Sequence, residues 1–328
     1  MRPFRYQHAP DIGSAVSALA EAPEAAYLAG GTNLVDLMKL EVEVPDLLVD
    51  VRQLTSDRIE AHPDFVRIGA AVTNSALAAD PVIRRRFPVL SQAVLAGASG
   101  QLRNLATTGG NLLQRTRCPY FQDLNTPCNK REPGTGCSAR EGFQRDHAVL
   151  GASEACIATH PSDMAVALAA LDAVVNTEGP RGPRAIPLVD LHRLPGDEPE
   201  RDTVLEHGEL ITSVDVPQLD FATNSRYRKA RDRASFAFAL VSVAAAVDTA
   251  DGVVRDVRLA LGGVAHKPWR ATEAEAVLRG AEASVEGFRR AADAELAGAR
   301  PLPGNEFKVP LARNMIVSVL SELSGVPR

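Results

Sequence analysis

Four cysteines, Cys118, Cys128, Cys137 and Cys156, are all that the 328-residue chain contains, and they crowd into residues 118–156. Random placement produces such crowding less than roughly once in a hundred chains, so it has a physical cause. The spacing is C-x9-C-x8-C-x18-C, with Pro119 directly after the first cysteine. Zinc knuckles use C-x2-4-C pairs because a tight turn aims two thiolates at one tetrahedral ion, and this sequence has no such pair. Four thiolates on long loops, bent by Pro127, Pro133, Gly134, Gly136 and Gly142, suit a larger object such as a [4Fe-4S] cube with one thiolate per iron. Arg115, Arg117, Lys130, Arg131 and Arg140 would supply positive charge beside an anionic cluster. Spacing alone leaves three readings open: an iron–sulfur cluster, a zinc site, or unrelated buried or reactive thiols.

Which reading is favoured depends on the compartment. The amino terminus, MRPFRYQHAPDIGSAVSALAEAP, carries Arg2 and Arg5 but no apolar run of roughly 7 to 15 residues, and Asp11 interrupts the one candidate, so no signal peptide is expected. Folding in a reducing cytosol is expected, where clustered thiols are metal ligands or redox groups more often than disulfides. Export of the folded protein on a signal-bearing partner stays open. A hydrophobic fraction of 45% with 23% charge excludes a disordered chain. No apolar run reaches the roughly 18 residues of a membrane span. Thirty-six Lys and Arg against 41 Asp and Glu give a net charge of -5 with no block of like charge long enough to be a nucleic-acid arm, so no nucleic-acid partner is expected.

At about 150 residues per domain the length predicts about two domains. Asp11 caps an amphipathic helix running to Ala22. The apolar strand Ala25 to Ala29 then enters Gly30-Gly31-Thr32-Asn33 and a helical pattern from Leu34 to Leu40. Leu47 to Val51 and Phe65 to Val72 read as strands, and Thr73 to Ala79 and Pro81 to Ala96 as helices. A second glycine element, Thr107-Thr108-Gly109-Gly110-Asn111, precedes the cysteine stretch, which shows no period from Arg115 to Arg145. Ser162 then caps an apolar helix through Leu171, and strands follow at Ala173 to Thr177 and Glu209 to Val216. After Pro217, two strands flank Asp251-Gly252, a two-residue hairpin signal. Three helical patterns complete the chain, the first opened by Thr272-Glu273-Ala274-Glu275 at capping-box spacing. The predicted boundary falls near residue 220, between a mixed domain and a smaller hairpin-plus-helices domain.

Paired glycines let consecutive backbone N–H groups converge on an anion, so Gly30-Gly31 and Gly109-Gly110 are candidate diphosphate cradles. Ordinary tight turns look the same, and neither site fits G-x-G-x-x-G or G-x-x-x-x-G-K-[ST]. The seven histidines show no metal spacing; His160 reads as structural, and Trp269 as a packing anchor.

Taken in order, Ala29-Gly-Gly-Thr-Asn-Leu34, Thr107-Thr-Gly-Gly-Asn111, His160-Pro-Ser-Asp-Met164, Arg226-Tyr-Arg-Lys229 and Leu261-Gly-Gly-Val264 resemble the FAD-binding medium subunit of the xanthine dehydrogenase and carbon monoxide dehydrogenase family. The stretch Asn111 to Pro119, with Pro127 to Arg131 and Gly136-Cys137, resembles more closely the FAD subunits of bacterial periplasmic aldehyde oxidoreductases, which carry an extra [4Fe-4S] cluster. The resemblance implies an α+β fold: a two-subdomain FAD-binding domain of the vanillyl-alcohol-oxidase (PCMH-like) type over 1–220, with an iron–sulfur insertion at about 114–156, and a C-terminal domain over 221–328 with an antiparallel sheet and helices. It implies that Ala29, Gly30, Gly31, Thr32, Asn33 and Leu34 hold the FAD diphosphate, that Thr108, Gly110 and Asn111 close the cofactor's other side, and that Asp163 hydrogen-bonds it. Leu210 or Ile211 would touch the flavin, and Lys229 would lie near it as a cation. Cys118, Cys128, Cys137 and Cys156 would hold the [4Fe-4S] cluster.

The implied function is an electron-transfer subunit of a heterotrimeric molybdenum-containing aldehyde oxidoreductase. A large molybdenum-cofactor subunit would oxidise the substrate, a small [2Fe-2S] subunit would relay electrons, and FAD would pass them to an external acceptor. No residue of this chain is expected to act as a catalytic acid or base. Two other readings stand beside it: a stand-alone flavin oxidase of the same fold, and a zinc-stabilised interaction module.

Overall fold

A computed structural model describes residues Met1 to Pro327. Its strands form three sheets that follow one another along the chain. In the first, β1 (Arg5–His8), β2 (Ala25–Leu28) and β3 (Leu47–Asp50) run parallel in the order β1-β3-β2. Parallel neighbours need crossovers, and the helices Ile12–Ala20 and Leu34–Lys39 supply them. The first is started by Asp11, whose side chain accepts from the Ser14 N–H at 2.7 Å, as its position before the apolar repeat predicts.

The second sheet is antiparallel: β4 (Ile59–Ala61), β5 (Phe65–Gly69), β6 (Val174–Gly179), β7 (Gly182–Pro187) and β8 (Leu210–Pro217) lie in the order β4-β5-β8-β6-β7. The helices Pro88–Ala96 and Asp163–Ala170 share a core with Ile68, Val175 and Val214 of this sheet. Every residue of Asp163–Ala170 is buried, so its alanine-rich composition reflects close approach of neighbours on all sides rather than a solvent face.

The third sheet, also antiparallel, contains β9 (Ser225–Ala230), β10 (Val241–Ala250), β11 (Val253–Gly262) and β12 (Trp269–Arg270). Asp251 and Gly252 adopt φ of 54° and 75°, the positive pair that a two-residue hairpin demands. Period-two alternation divides β10 between two cores. Ala244 faces the Asp163–Ala170 side, whereas Val243, Ala245 and Val247 pack with the helices Thr272–Leu278, Val285–Leu296 and Lys308–Ser324. This mixed arrangement is the α+β architecture that the resemblance implies.

Local departures have identifiable causes. Pro88 lacks an N–H and ends the preceding helix, so the single helix read from Pro81 to Ala96 is two, Pro81–Arg86 and Pro88–Ala96. Strand β7, absent from the strands read in the sequence, pairs with β6 as a sheet edge, where proline is tolerated. Thr272 does not open a capping box. The helix begins after Ala271 with no side-chain cap, and Glu275 instead accepts from the Leu259 N–H at 2.7 Å and pairs with Arg270. Gly109-Gly110 lies within a short helix, Thr108–Leu112, rather than in a turn before one.

The cysteine segment has little regular structure beyond the short helix Pro119–Gln122 and one 3-10 turn, so its place is set by what grips it from outside. Asn305, Lys308 and Arg300 all hold its C-terminal end: Lys308 Nζ donates to His147 O at 2.9 Å and to Gly263 O at 2.8 Å, Asn305 Nδ2 to Ala148 O at 3.2 Å, and the Arg300 N–H to Val149 O at 2.7 Å. Lys308 is fully buried, and burial lowers its ammonium to about 7 from 10.5. Between those values the unfolded chain binds a proton there that the folded chain does not, so this residue's contribution to stability is complete above the unfolded value and is lost as pH falls toward 7. Lys308→Met is expected to abolish that slope and, by removing both donated hydrogen bonds, to cost about 1–3 kcal/mol. Urea unfolding at pH 7 and pH 9 checks both outcomes.

Candidate functional site

A cleft of about 1060 Å3 is lined by residues of the first two sheets, of β9 in the third and of the cysteine segment. One wall is the turn from β2 into the helix Leu34–Lys39. Gly31 adopts φ 70°, a left-handed conformation that glycine reaches without strain. Gly30 lies so near the backbone of Leu105 that a Cβ would stand 2.0 Å from that carbonyl oxygen. Asn33 turns its Oδ1 to the N–H of Arg115 at 2.7 Å, while its buried Nδ2 has no partner, an orphaned donor at the cleft.

The opposite wall comes from the second glycine element. Thr107, Gly109, Gly110 and Asn111 line the cleft. Thr108 does not: it is fully buried, and both its N–H and its Oγ1 bond to Val72 O, at 2.9 and 3.1 Å. Thr108, expected to help close the cofactor's other side, thus stands outside the cleft lining, with its side chain turned to the residue three beyond the end of β5. Ser162 Oγ approaches Asn111 Oδ1 at 2.6 Å, joining this wall to the next helix.

Asp163, Leu210, Ile211 and Lys229 meet in the same cleft from three separate elements. Ser162 caps the helix by accepting from the Ala165 N–H at 3.0 Å, so Asp163 occupies the first turn, where the helix dipole favours an anion. Lys229 Nζ donates to Asp163 Oδ2 at 2.7 Å and to Ala96 O at 3.2 Å. Tyr227 OH donates to the other carboxylate oxygen at 2.5 Å, and burial together with this carboxylate holds the phenol well above its ordinary value. The Lys229 and Asp163 side chains are 3% and 7% exposed, so this is a buried pair and not the solvated end of a basic run. Its neighbours separate by strand alternation: Arg226 and Arg228 face out to Glu322. Tyr227 was overlooked in the sequence, although its place two residues before Lys229 on a strand puts both on one face.

The four cysteines are all free and line one small internal cavity together with Tyr120, Phe121 and Lys130. Cys128 and Cys137 face each other across an isolated antiparallel bridge. Burial pushes the Cys118 thiol up to about 12 and the Cys156 thiol up to about 11. His147 Nε2 lies 3.2 Å from Cys118 Sγ, and Cys156 Sγ accepts from the Ala158 N–H at 3.4 Å. Among the described residues, no three His, Cys, Asp or Glu side chains are placed to hold a single metal ion. A [4Fe-4S] cubane would need no such convergence, since each thiolate binds its own iron, and four free thiols around one cavity match the number of donors it takes. The cleft likewise fits an elongated cofactor with an anionic centre: glycine walls on two sides, an unpartnered amide donor, and a buried cation at the far side.

Comparison with known proteins accounts for this arrangement. Residues 2–219 match the family described as the FAD binding domain in molybdopterin dehydrogenase, and residues 225–323 match the CO dehydrogenase flavoprotein C-terminal domain. The chain belongs to the FAD-binding medium subunits of the xanthine dehydrogenase and carbon monoxide dehydrogenase family. Its similarity is 53% identity over 98% of both chains to the aldehyde oxidoreductase FAD-binding subunit PaoB of Escherichia coli. It is 27% identical, over 98% of both chains, to the carbon monoxide dehydrogenase medium chain of Hydrogenophaga pseudoflava. A solved carbon monoxide dehydrogenase from that organism superimposes with a TM-score of 0.77 at 25% identity, over 100% of this chain and 99% of the other. The chain therefore carries the FAD-binding domain of an oxidoreductase subunit. No helix among the described residues is long and apolar enough to cross a membrane.

Because a Cβ at Gly30 would collide with backbone rather than with a flexible side chain, Gly30→Ala is expected to push the two glycine walls apart. Purified Gly30→Ala protein should retain less than half the flavin of the parent, read as absorbance of flavin released on denaturation, with its far-ultraviolet circular dichroism unchanged.

Proposed function

We propose that this chain is the FAD-carrying electron-transfer subunit of a three-subunit molybdenum aldehyde oxidoreductase, and that it holds a [4Fe-4S] cluster of its own. The observation that carries the reading is the pairing of two sites in one chain: a glycine-walled cleft, and four free cysteines around a neighbouring cavity. Similarity over almost the whole length to the FAD-binding subunit of an aldehyde oxidoreductase supports the substrate class.

In this reading the Ala29–Leu34 turn binds the diphosphate through backbone N–H groups, Gly110 allows close approach from the other wall, and Asn33 and Asn111 offer side-chain amides. Leu210 and Ile211 present apolar surface to the flavin ring. Asp163 is neutralised by Lys229 and Tyr227, so the deep end of the cleft presents an oriented, charge-balanced group instead of a bare carboxylate. When bound, FAD supplies a carrier that collects electrons singly and releases them in pairs. Cys118, Cys128, Cys137 and Cys156 hold the cluster, with Lys130 and Arg117 as nearby positive charge. The partners are a large molybdenum-cofactor subunit and a small [2Fe-2S] subunit, with an external molecule as final acceptor. The chain folds in the cytoplasm, and any export occurs with a signal-bearing partner.

Metal and flavin analysis of the natively purified complex tests this directly. About one FAD and four irons per copy of this chain, above those of the [2Fe-2S] partner, are expected. One zinc with no additional iron or labile sulfide would support the zinc-stabilised module instead. A monomer that oxidises an aldehyde without partners would support a stand-alone oxidase. Cys128→Ser is expected to lose the cluster's broad absorption while keeping FAD, because the glycine walls lie outside the cysteine segment; equal loss of flavin would make the cluster a folding requirement and not a relay.

A further inference from the structure

Beside the cleft is a second, small cavity of about 20 Å3, lined among others by His160, His192, His266 and Asp202. It has room for one water molecule. The three imidazoles each have one nitrogen committed to the backbone and one without a partner. His192 Nε2 lies 2.8 Å from Leu112 O and His266 Nδ1 lies 3.0 Å from Arg193 O. A carbonyl can only accept, so both of these nitrogens carry the hydrogen, and the free His192 Nδ1 and His266 Nε2 are lone pairs. His160 is reversed. Its Nδ1 faces the N–H of Ser162 at 3.4 Å, which makes Nδ1 the lone pair and the free Nε2 an N–H donor. His160 Nε2, His192 Nδ1 and His266 Nε2 are all buried without a hydrogen-bond partner.

We infer that this cavity is a built site for a single neutral water, which accepts from His160 Nε2–H and donates to His192 Nδ1 and His266 Nε2. The complement is specific. Chloride can only accept and would oppose two lone pairs. Ammonium or a metal ion would oppose the His160 N–H, and no three such side chains are placed to hold a metal. Water offers two donors and two lone pairs, and these three nitrogens use three of them. Burial holds His192 and His266 down to about 4 and His160 well below its ordinary value, which agrees with neutral rings. Asp202, also on the cavity wall, lies 3.8 Å from His266 Nε2, and its charge is offset by Lys130 at 2.5 Å and Arg115 at 2.6 Å.

The site sits between two others. His160 also lines the large cleft, two residues before Ser162 and three before Asp163. Asp202 grips Lys130, two residues after Cys128. The water therefore works as a latch that fixes the cysteine segment against the cleft wall. It is not a proton relay: the far nitrogen of every ring ends on a backbone amide or carbonyl, which neither supplies nor removes a proton. The water site stands on these side chains alone; only its consequence for the spacing of flavin and cluster rests on the function proposed above.

A high-resolution crystal structure of the native complex tests the site. The expected result is one isolated peak within about 2.7–3.2 Å of all three nitrogens, with no anomalous signal at the zinc edge. A dry cavity, an anomalous scatterer, or rings turned so that carbon faces the cavity would each overturn it. His266→Leu is then expected to lose that water. Amide hydrogen exchange should rise roughly tenfold, as for the loss of one buried hydrogen bond, at residues 127–131 and 158–163 and not at the distant β10–β11 hairpin. Exchange at 127–131 that stays at the parent rate overturns the latch. Neither readout needs iron, so a complex without the extra cluster would refute the cofactor assignment and leave the water site to be judged on its own result.

Discussion

The buried contact between Asp163 and the strand β9 is the joint on which the cleft depends. A carboxylate and an ammonium taken out of water carry a desolvation cost that their attraction offsets only when geometry is good and remaining hydrogen bonds are satisfied. Both conditions hold: Lys229 Nζ is shared between Asp163 Oδ2 and Ala96 O, and Tyr227 OH occupies the other carboxylate oxygen. The pair ties the helix after the cysteine segment to the first strand of the third sheet. With that joint made, the glycine walls, β8 and β9 enclose one volume; without it the carboxylate would stand unpaired at the cleft's deep end.

The cysteine segment presents the opposite problem. It lacks a periodic apolar face and cannot order itself by packing. Charged and polar side chains from other elements hold it: Lys308 and Asn305 grip the carbonyls of His147 and Ala148, and Asp202 gathers Lys130 and Arg115. These groups bring four thiols to one cavity with no disulfide between them. The same grip places His160, His192 and His266 around the small cavity beside the cleft, so the cleft and the cysteine loops share a set of supports.

Much of this was legible before any fold was known, because the signals were local. Asp11 before Ile12, Ser162 before Asp163, and Asp251-Gly252 act through bonds within three residues, and each appears where expected. Period-two and helical patterns predicted most elements within a few residues. Errors arose where a distant partner overrode a local signal. Thr272 and Glu275 have capping-box spacing, but Arg270 and the Leu259 N–H claim the glutamate. Thr108 belongs to a glycine motif, but Val72 O takes its hydroxyl. The run of cations at 226–233 looks like a solvated face until strand alternation turns Lys229 inward.

By itself, the sequence determined the kinds of chemistry available: two glycine-rich turns able to approach an anion, four clustered thiols, and ordered blocks resembling a flavin-binding family. Spacing along the chain could not decide whether those thiols meet, since C-x9-C-x8-C-x18-C leaves each loop free to close in many ways. Only the tertiary structure decided that, and it also decided which histidine nitrogens lack partners, because a tautomer is set by the carbonyl or amide that lies across from it in space. Residue types carry potential donors and charges; burial and the identity of the facing group determine which of them are spent on the fold and which remain for a ligand.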